Sequence, residues 1–143
     1  MSKKYVFDAW ALLAMLQGEE PAAARVRQLL LEGERQEISL LLSIVTLGEV
    51  YYRVGKHGNR AVAIDTLEKI RCLALTIVPA HEELVLAAAD LKMAYAISYA
   101  DAFAAALAAR TDAILVSGDP EFDQLQGRVQ LEKLHRSREP HPS

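Results

Sequence analysis

Residues 113–117, AILVS, are an unbroken apolar run ending in a serine and closed at once by Gly118, Asp119 and Pro120. A strand with one wet face alternates apolar and polar side chains, whereas a continuous run suits a strand covered on both faces. Coverage on both faces comes from helices that cross over between parallel strands. This one segment therefore steers the chain toward an α/β fold.

The rest of the sequence is consistent with that. KYVF (4–7) and LTIVP (75–79) are short and rich in β-branched or aromatic residues, EISLLLS (37–43) reads as a buried strand, and VQLEKL (129–134) as the last one. Between them lie helical stretches. The first runs from Ala9 to Leu16 ahead of Gly18, and the second from Pro21 to Gly33. TLGEVYYRVGK (46–56) follows, then NRAVAIDTLEKIRCL (59–73) with Asn59 as its cap. Two more cover 80–96 and 99–110, and DPEFDQL (119–125) makes a short one. The expectation is a single α/β domain over residues 1–134, with a mainly parallel central sheet flanked by helices. The polar, proline-containing end HRSREPHPS (135–143) is expected to be disordered.

Composition narrows the partners. With 143 residues, 52% of them hydrophobic and 24% charged, the chain has enough material for one real core. A net charge of −3 gives no bulk basic character, so a nucleic-acid partner requires a local basic rim or metal ions. Cys72 is alone and has no companion at metal-ligand spacing; His57, His81, His135 and His141 share none either. The start MSKKYVFDAWALLAML superficially resembles a secretion signal, but Asp8 interrupts it and QGEEP replaces a small-residue cleavage site. The longest apolar stretch, near 38–47, falls short of the roughly 20 residues a spanning helix needs. A soluble, cytoplasmic protein with no membrane partner is expected.

Four acids fall at related places. Asp8 follows KYVF, Glu49 follows EISLLLS by one helical turn, Asp101 opens the alanine-rich helix, and Asp119 follows AILVS after Ser117-Gly118. On a parallel sheet such junctions share one edge, where ligands gather beyond the carboxyl ends of the strands. Each acid also has a purely local explanation. Acids favour helix N-termini, Thr46/Glu49 and Ser98/Asp101 fit capping boxes, Asp119-Pro120 fits a cap followed by a first-position proline, and Glu49 can pair with Arg53. Taken singly, capping accounts for each. Together they ask for more, because clustered carboxylates resist joint ionisation. Two Mg²⁺ or Mn²⁺ ions balance four carboxylates, and such pairs serve phosphodiester hydrolysis.

YVFDAWALLAML, SIVTLGEVYYRVGK, ISYADAFAAALA and LVSGDPEF resemble, in order and spacing, the PIN-domain family, and most of all the VapC-type toxins of toxin–antitoxin pairs. The resemblance spans residues 4–131. It implies a Mg²⁺- or Mn²⁺-dependent endoribonuclease whose acidic quartet falls on Asp8, Glu49, Asp101 and Asp119 as metal ligands, with two ions when substrate is bound. Ser117 then stands where many members carry a hydroxyl near the last acid. The resemblance further implies hydrolysis leaving 5′-phosphate and 3′-hydroxyl ends, a homodimer, and a small cognate antitoxin that covers or enters the active groove. Ala9 and Trp10 depart from the family, which often has hydroxyl or amide residues there.

Other residues carry weaker signals. Arg53, Lys56 and Arg60 are candidates for a basic lip that meets RNA phosphates, or simply for a solvated helix end. Asp90, Glu121 and Asp123 read as surface charges, with Asp123 the most tempting additional acid. Trp10, Tyr99 and Phe103 read as core or dimer contacts, and the alanines from 102 to 109 as a face for close helix packing. A phospho-acceptor receiver domain wants adjacent acids after the first strand, and a haloacid-dehalogenase-type phosphatase wants a second Asp where Trp10 stands; VFDAW supplies neither. The alternative that survives is a catalytically inactive PIN-like module that binds RNA or protein.

Overall fold

A computed structural model describes residues 2–137 of the chain. Its sheet contains β1 (Lys4–Phe7), β2 (Ser39–Ser43), β3 (Thr76–Val78), β4 (Ile114–Ser117) and β5 (Gln130–Lys133) in the order β3-β2-β1-β4-β5. Every neighbouring pair is parallel, so the expected mainly parallel sheet is wholly so. The helices are α1 (Ala9–Leu16), α2 (Ala22–Glu34), α3 (Ile44–His57), α4 (Arg60–Arg71), α5 (Glu82–Ala94) and α6 (Tyr99–Thr111), followed by a 3₁₀ helix at Pro120–Leu125. None of the described helices is long and apolar enough to cross a membrane.

The continuous apolar strands have the cause inferred for them. Along β1, Tyr5 and Phe7 face one core with Leu40, Leu42 and Val116, against α1 and α2. Val6 and Leu115 face the other core, against α5 and α6. Both sides exclude water, so neither side tolerates polar alternation. In α6 the residues Ala102–Ala108 are all buried, and the five alanines among them let α5 and the sheet approach from different sides. This is a helix that is apolar all round because it is covered all round.

Strand order positions the site. The chain builds β1, β2 and β3 outward in one direction, then returns to place β4 on the other flank of β1. The carboxyl ends of β1 and β4 thus border the point where the winding direction reverses, which is where open α/β sheets leave a crevice.

Local starts depart from expectation in two places. Helix α3 begins at Ile44 rather than Thr46, with the Ser43 hydroxyl accepting from the Val45 N–H. Thr46 is buried inside the helix, so the Thr46/Glu49 capping box does not exist, and Glu49 lies in the second turn. Pro21 occupies the position before α2 rather than its first turn. Of the tail expected to be disordered, Arg136 bridges Pro21 and pairs with Glu19 at 3.2 Å, and the Ser137 N–H donates to the Glu20 carbonyl. Residues 138–143 of that tail lie outside the described residues.

Candidate active site

The parallel register of β1 and β4 pairs Phe7 with Val116, which sets Asp8 beside Ser117 one step further along. Asp8 is 1% exposed and caps α1, one carboxylate oxygen accepting from the Ala11 N–H at 2.9 Å. Its other oxygen accepts from the Ser117 hydroxyl. Ser117 in turn accepts from the Asp119 N–H at 3.0 Å. A hydroxyl with one proton and two lone pairs suits both tasks at once. The capping explanation of Asp8 is therefore correct and incomplete, because only half of its carboxylate is used on the helix.

Asp119 caps the 3₁₀ helix, accepting from the Glu121 N–H at 2.9 Å with Pro120 locked at the first position. The turn before it is tight. A Cβ on Gly118 would stand 2.2 Å from the Trp10 ring, so a glycine lets the indole pack directly over the backbone that leads into Asp119. Trp10 also carries the Arg136 guanidinium over its face, 5.2 Å from the ring centre. Phe103 is buried in the core as expected, while Tyr99 stays exposed beside it.

Asp101 occupies the third position of α6, where its backbone N–H donates to the Ser98 hydroxyl at 3.1 Å. The reciprocal bond of a capping box, from the Ser98 N–H to the Asp101 carboxylate, is absent among the described residues. Serine alone caps this helix. The Asp101 side chain is free to point elsewhere, and it points at acids: one oxygen each from Asp101, Asp119 and Glu121 lie within 4.8 Å of one another. Glu121, read from sequence as a surface charge, belongs beside the candidate site. Asp123, the acid that seemed more tempting, pairs instead with Lys133 at 2.8 Å. Asp90 is exposed.

Glu49 reaches the same region from α3, half-buried and paired with Arg53 at 3.3 Å. Arg53, Lys56 and Arg60 are all exposed around the junction of α3 and α4. Arg53 is the one engaged with a quartet acid.

The electrostatics show that the four acids sense one another. Burial drives the Asp8 carboxyl up to about 7 against the pull of its Ser117 and Ala11 hydrogen bonds, with Asp119 and Glu49 adding repulsion. Burial likewise raises Asp101 to about 8, reinforced by its carboxyl contact with Glu121 and by Asp8, Asp119 and Glu49. Glu49 is raised by burial and by Asp119, while Arg53 opposes the shift. Without a counter-cation this cluster does not ionise fully near neutrality. The donor set fits hard divalent ions: it is all oxygen and contains no thiol or imidazole.

A groove of about 620 Å³ has Trp10, Leu13, Leu16, Val54 and Val62 among its apolar lining and Arg53, the partner of Glu49, on its wall; none of the four acids lines it.

The fold has solved counterparts. VapBC2 from Rickettsia felis, bound to a DNA fragment from its promoter, superposes with a TM-score of 0.71 at 17% identity, covering 92% of this chain and 99% of that one. VapC20 from Mycobacterium tuberculosis, a Sarcin-Ricin loop cleaving toxin, gives a TM-score of 0.68 at 12% identity over 88% of this chain and 97% of that one. VapBC-1 from nontypeable Haemophilus influenzae gives a TM-score of 0.68 at 20% identity, covering 91% and 97%. No curated protein matches the chain in sequence. The family model described as PIN domain matches residues 5–128, and the chain belongs to the PIN-domain family.

Proposed function

We propose that the chain is a VapC-type toxin, an endoribonuclease that hydrolyses RNA phosphodiester bonds at a Mg²⁺ or Mn²⁺ centre. The observation that carries this reading is the buried Asp101 carboxylate, which leaves the capping of its own helix to Ser98 and turns instead toward Asp119 and Glu121.

Asp8, Glu49, Asp101 and Asp119 are the residues that would hold the metal. When bound, a divalent pair supplies charge neutralisation for the attacking and leaving oxygens of a phosphodiester. The chain's own residues do the positioning. Ser117 holds Asp8 through its hydroxyl and Asp119 through the backbone N–H, tying the ends of β1 and β4 together. Pro120 and the Trp10–Gly118 contact hold the turn that aims Asp119. Arg53 steadies Glu49 in the absence of substrate. Arg53, Lys56 and Arg60 form an exposed basic rim suited to RNA phosphates, which the chain's negative net charge otherwise disfavours.

The solved counterparts include toxin–antitoxin assemblies, which supports a cognate antitoxin as partner, and the groove lined by Trp10 and Arg53 offers such a partner an apolar surface. A cytoplasmic homodimer completes the proposal. The test is incubation of the purified, partner-free chain with a pool of structured RNAs in Mg²⁺, in Mn²⁺ and in EDTA. Cutting that requires the metal, leaves 5′-phosphate ends and is silenced by the antitoxin supports the reading. RNA binding without turnover in either metal favours the inactive binding module.

A further inference from the structure

One side chain links the groove to the acid cluster: the half-buried Trp10 indole. Trp10 is the second residue of α1, the helix that Asp8 caps, and its six-membered ring lies on Gly118, the residue before Asp119. Three ring atoms would stand 2.2–2.5 Å from a Cβ at Gly118, so the indole and this backbone are in close contact. Asp119 takes its direction from the same turn, since its N–H donates to Ser117 and its carboxylate caps the 3₁₀ helix. An indole that swings away removes the wall against which the turn rests.

The indole has its own holder. The Arg136 guanidinium lies over the ring, 5.2 Å from its centre, and its Nη1 donates to both oxygens of Glu19, at 3.2 and 3.3 Å. Glu19 is the only acid among the described residues lining the groove. The segment that delivers Arg136 is pinned through its main chain on either side. The Leu134 N–H donates to the Ser117 carbonyl, Arg136 bridges Pro21, and the Ser137 N–H donates to the Glu20 carbonyl. Arg136 and Glu19 are both partly exposed, and contacts of this kind add little to global stability. What they fix is geometry: a flat cation laid on the ring and held by a carboxylate restricts the swing of the indole.

We infer that Arg136 is a positioning residue of the active site: held by Glu19, it keeps Trp10 against Gly118 and thereby sets the turn that presents Asp119. The inference rests on the nuclease reading and adds to it a control exerted from beyond β5, by residues outside the acid cluster. Arg136 acts only through the indole.

Trp10 is the chain's single tryptophan, so its fluorescence reports the indole directly. The full chain is compared with Arg136→Gln, Arg136→Lys, Glu19→Gln and a control, Arg27→Gln, which removes an equal charge from the separate exposed pair Arg27–Glu20. Acrylamide quenching and melting are recorded without metal, followed by Mn²⁺ affinity and by kcat and KM for RNA cleavage in Mn²⁺. Arg136→Gln and Glu19→Gln should expose the indole to quencher. Their kcat should fall about tenfold, the scale for groups one layer removed from a metal. KM should stay near the parent's, and melting within about 4 °C of it. Arg136→Lys keeps a cation for the ring and should restore most of kcat. Arg27→Gln should match the parent throughout.

Glu19→Gln separates positioning from RNA contact. If Arg136 instead meets an RNA phosphate, its loss raises KM and flattens the salt dependence, while Glu19→Gln removes a negative charge and leaves kcat intact. That pattern overturns the inference. So does parental quenching in Arg136→Gln, or greater quenching with parental kcat. A fall in kcat that tracks a larger melting loss and is not restored by Arg136→Lys also overturns it, making Arg136 a purely structural residue. Each of these outcomes leaves the nuclease reading standing. A parent that neither binds Mn²⁺ nor cuts RNA brings down that reading, and this inference with it.

Discussion

The Ser117 hydroxyl donates to the Asp8 carboxylate across 109 residues of sequence, while accepting the Asp119 N–H two residues away. One side chain thus ties the carboxyl ends of the two central strands to both of their acids. Ser117→Ala removes both bonds without altering the strand's packing volume greatly. The expected outcome is a folded variant whose divalent-metal affinity drops roughly 10–100-fold, the range for residues that orient metal ligands. Calorimetric Mn²⁺ binding beside circular dichroism checks it, and unchanged binding would count against the positioning role.

The raised carboxyls of Asp8, about 7, and Asp101, about 8, make stability depend on pH in a defined direction. Unfolded aspartates titrate near 4, so between about 4 and 8 the native state binds more protons than the unfolded one. Stability of the metal-free protein is therefore full at the acid end of that window and is lost as pH rises through 7 to 8. Melting of EDTA-treated protein should fall across this range. Added Mg²⁺ or Mn²⁺ should raise the melting temperature more at pH 8 than at pH 5, since protons no longer compete with the cation. A metal-free melting temperature that climbs between pH 5 and 8 would contradict the assignment.

Gly118 is required by Trp10 rather than by backbone freedom. A Cβ there would sit 2.2–2.5 Å from three atoms of the indole ring. Gly118→Ala forces the ring or the turn to move, at a cost of about 1–3 kcal/mol typical of overpacking. Denaturant unfolding should report that loss, and cleavage should fall further than stability does because the same turn aims Asp119.

The basic rim makes a separable prediction. The Arg53–Glu49 ion pair is exposed on the arginine side, and such pairs contribute about 0.2–1 kcal/mol. Lys56→Ala with Arg60→Ala should leave melting nearly unchanged yet raise the KM for RNA. The slope of log affinity against log salt should flatten by about 0.7 for each single-strand phosphate contact removed. A parental slope would remove these residues from the RNA surface.

Much of this fold is visible in the sequence because its strands and helices differ in kind. AILVS and KYVF are continuous apolar runs, made so by helices on both faces, while NRAVAIDTLEKIRCL shows helical spacing behind an asparagine that does cap it at Val62. The start of α3 was harder to place. Ile44, Val45 and Thr46 are β-branched and extend the strand pattern of SLLLS, yet Ser43 captures the Val45 N–H and turns the chain. Local propensity favoured the strand, and the serine cap with tertiary packing overrode it.

The acids divide along the same line. Asp8 and Asp119 were legible because a strand end places them, whatever the details of the helix that follows. Asp101 was ambiguous, since Ser98 and Asp101 match a capping box in sequence and only the structure shows the carboxylate unused by it. Glu121 is exposed, as the sequence suggests, yet its carboxylate reaches Asp101 and Asp119, while Asp123, the more tempting acid, is taken up by Lys133, a partner ten residues on that the sequence does not single out.

Asp101→Asn provides the most direct measurement, as it keeps the shape of the side chain and removes its charge. Cleavage of RNA in Mn²⁺ is compared with metal-free melting at pH 8 for parent and variant. A metal ligand held against its neighbours predicts that cutting is lost while melting stays equal or rises, because the variant no longer confines a buried like charge. Parental cutting by the variant, or lost cutting accompanied by a lowered melting temperature and undiminished Mn²⁺ binding, would make Asp101 a structural residue of α6 and contradict the account.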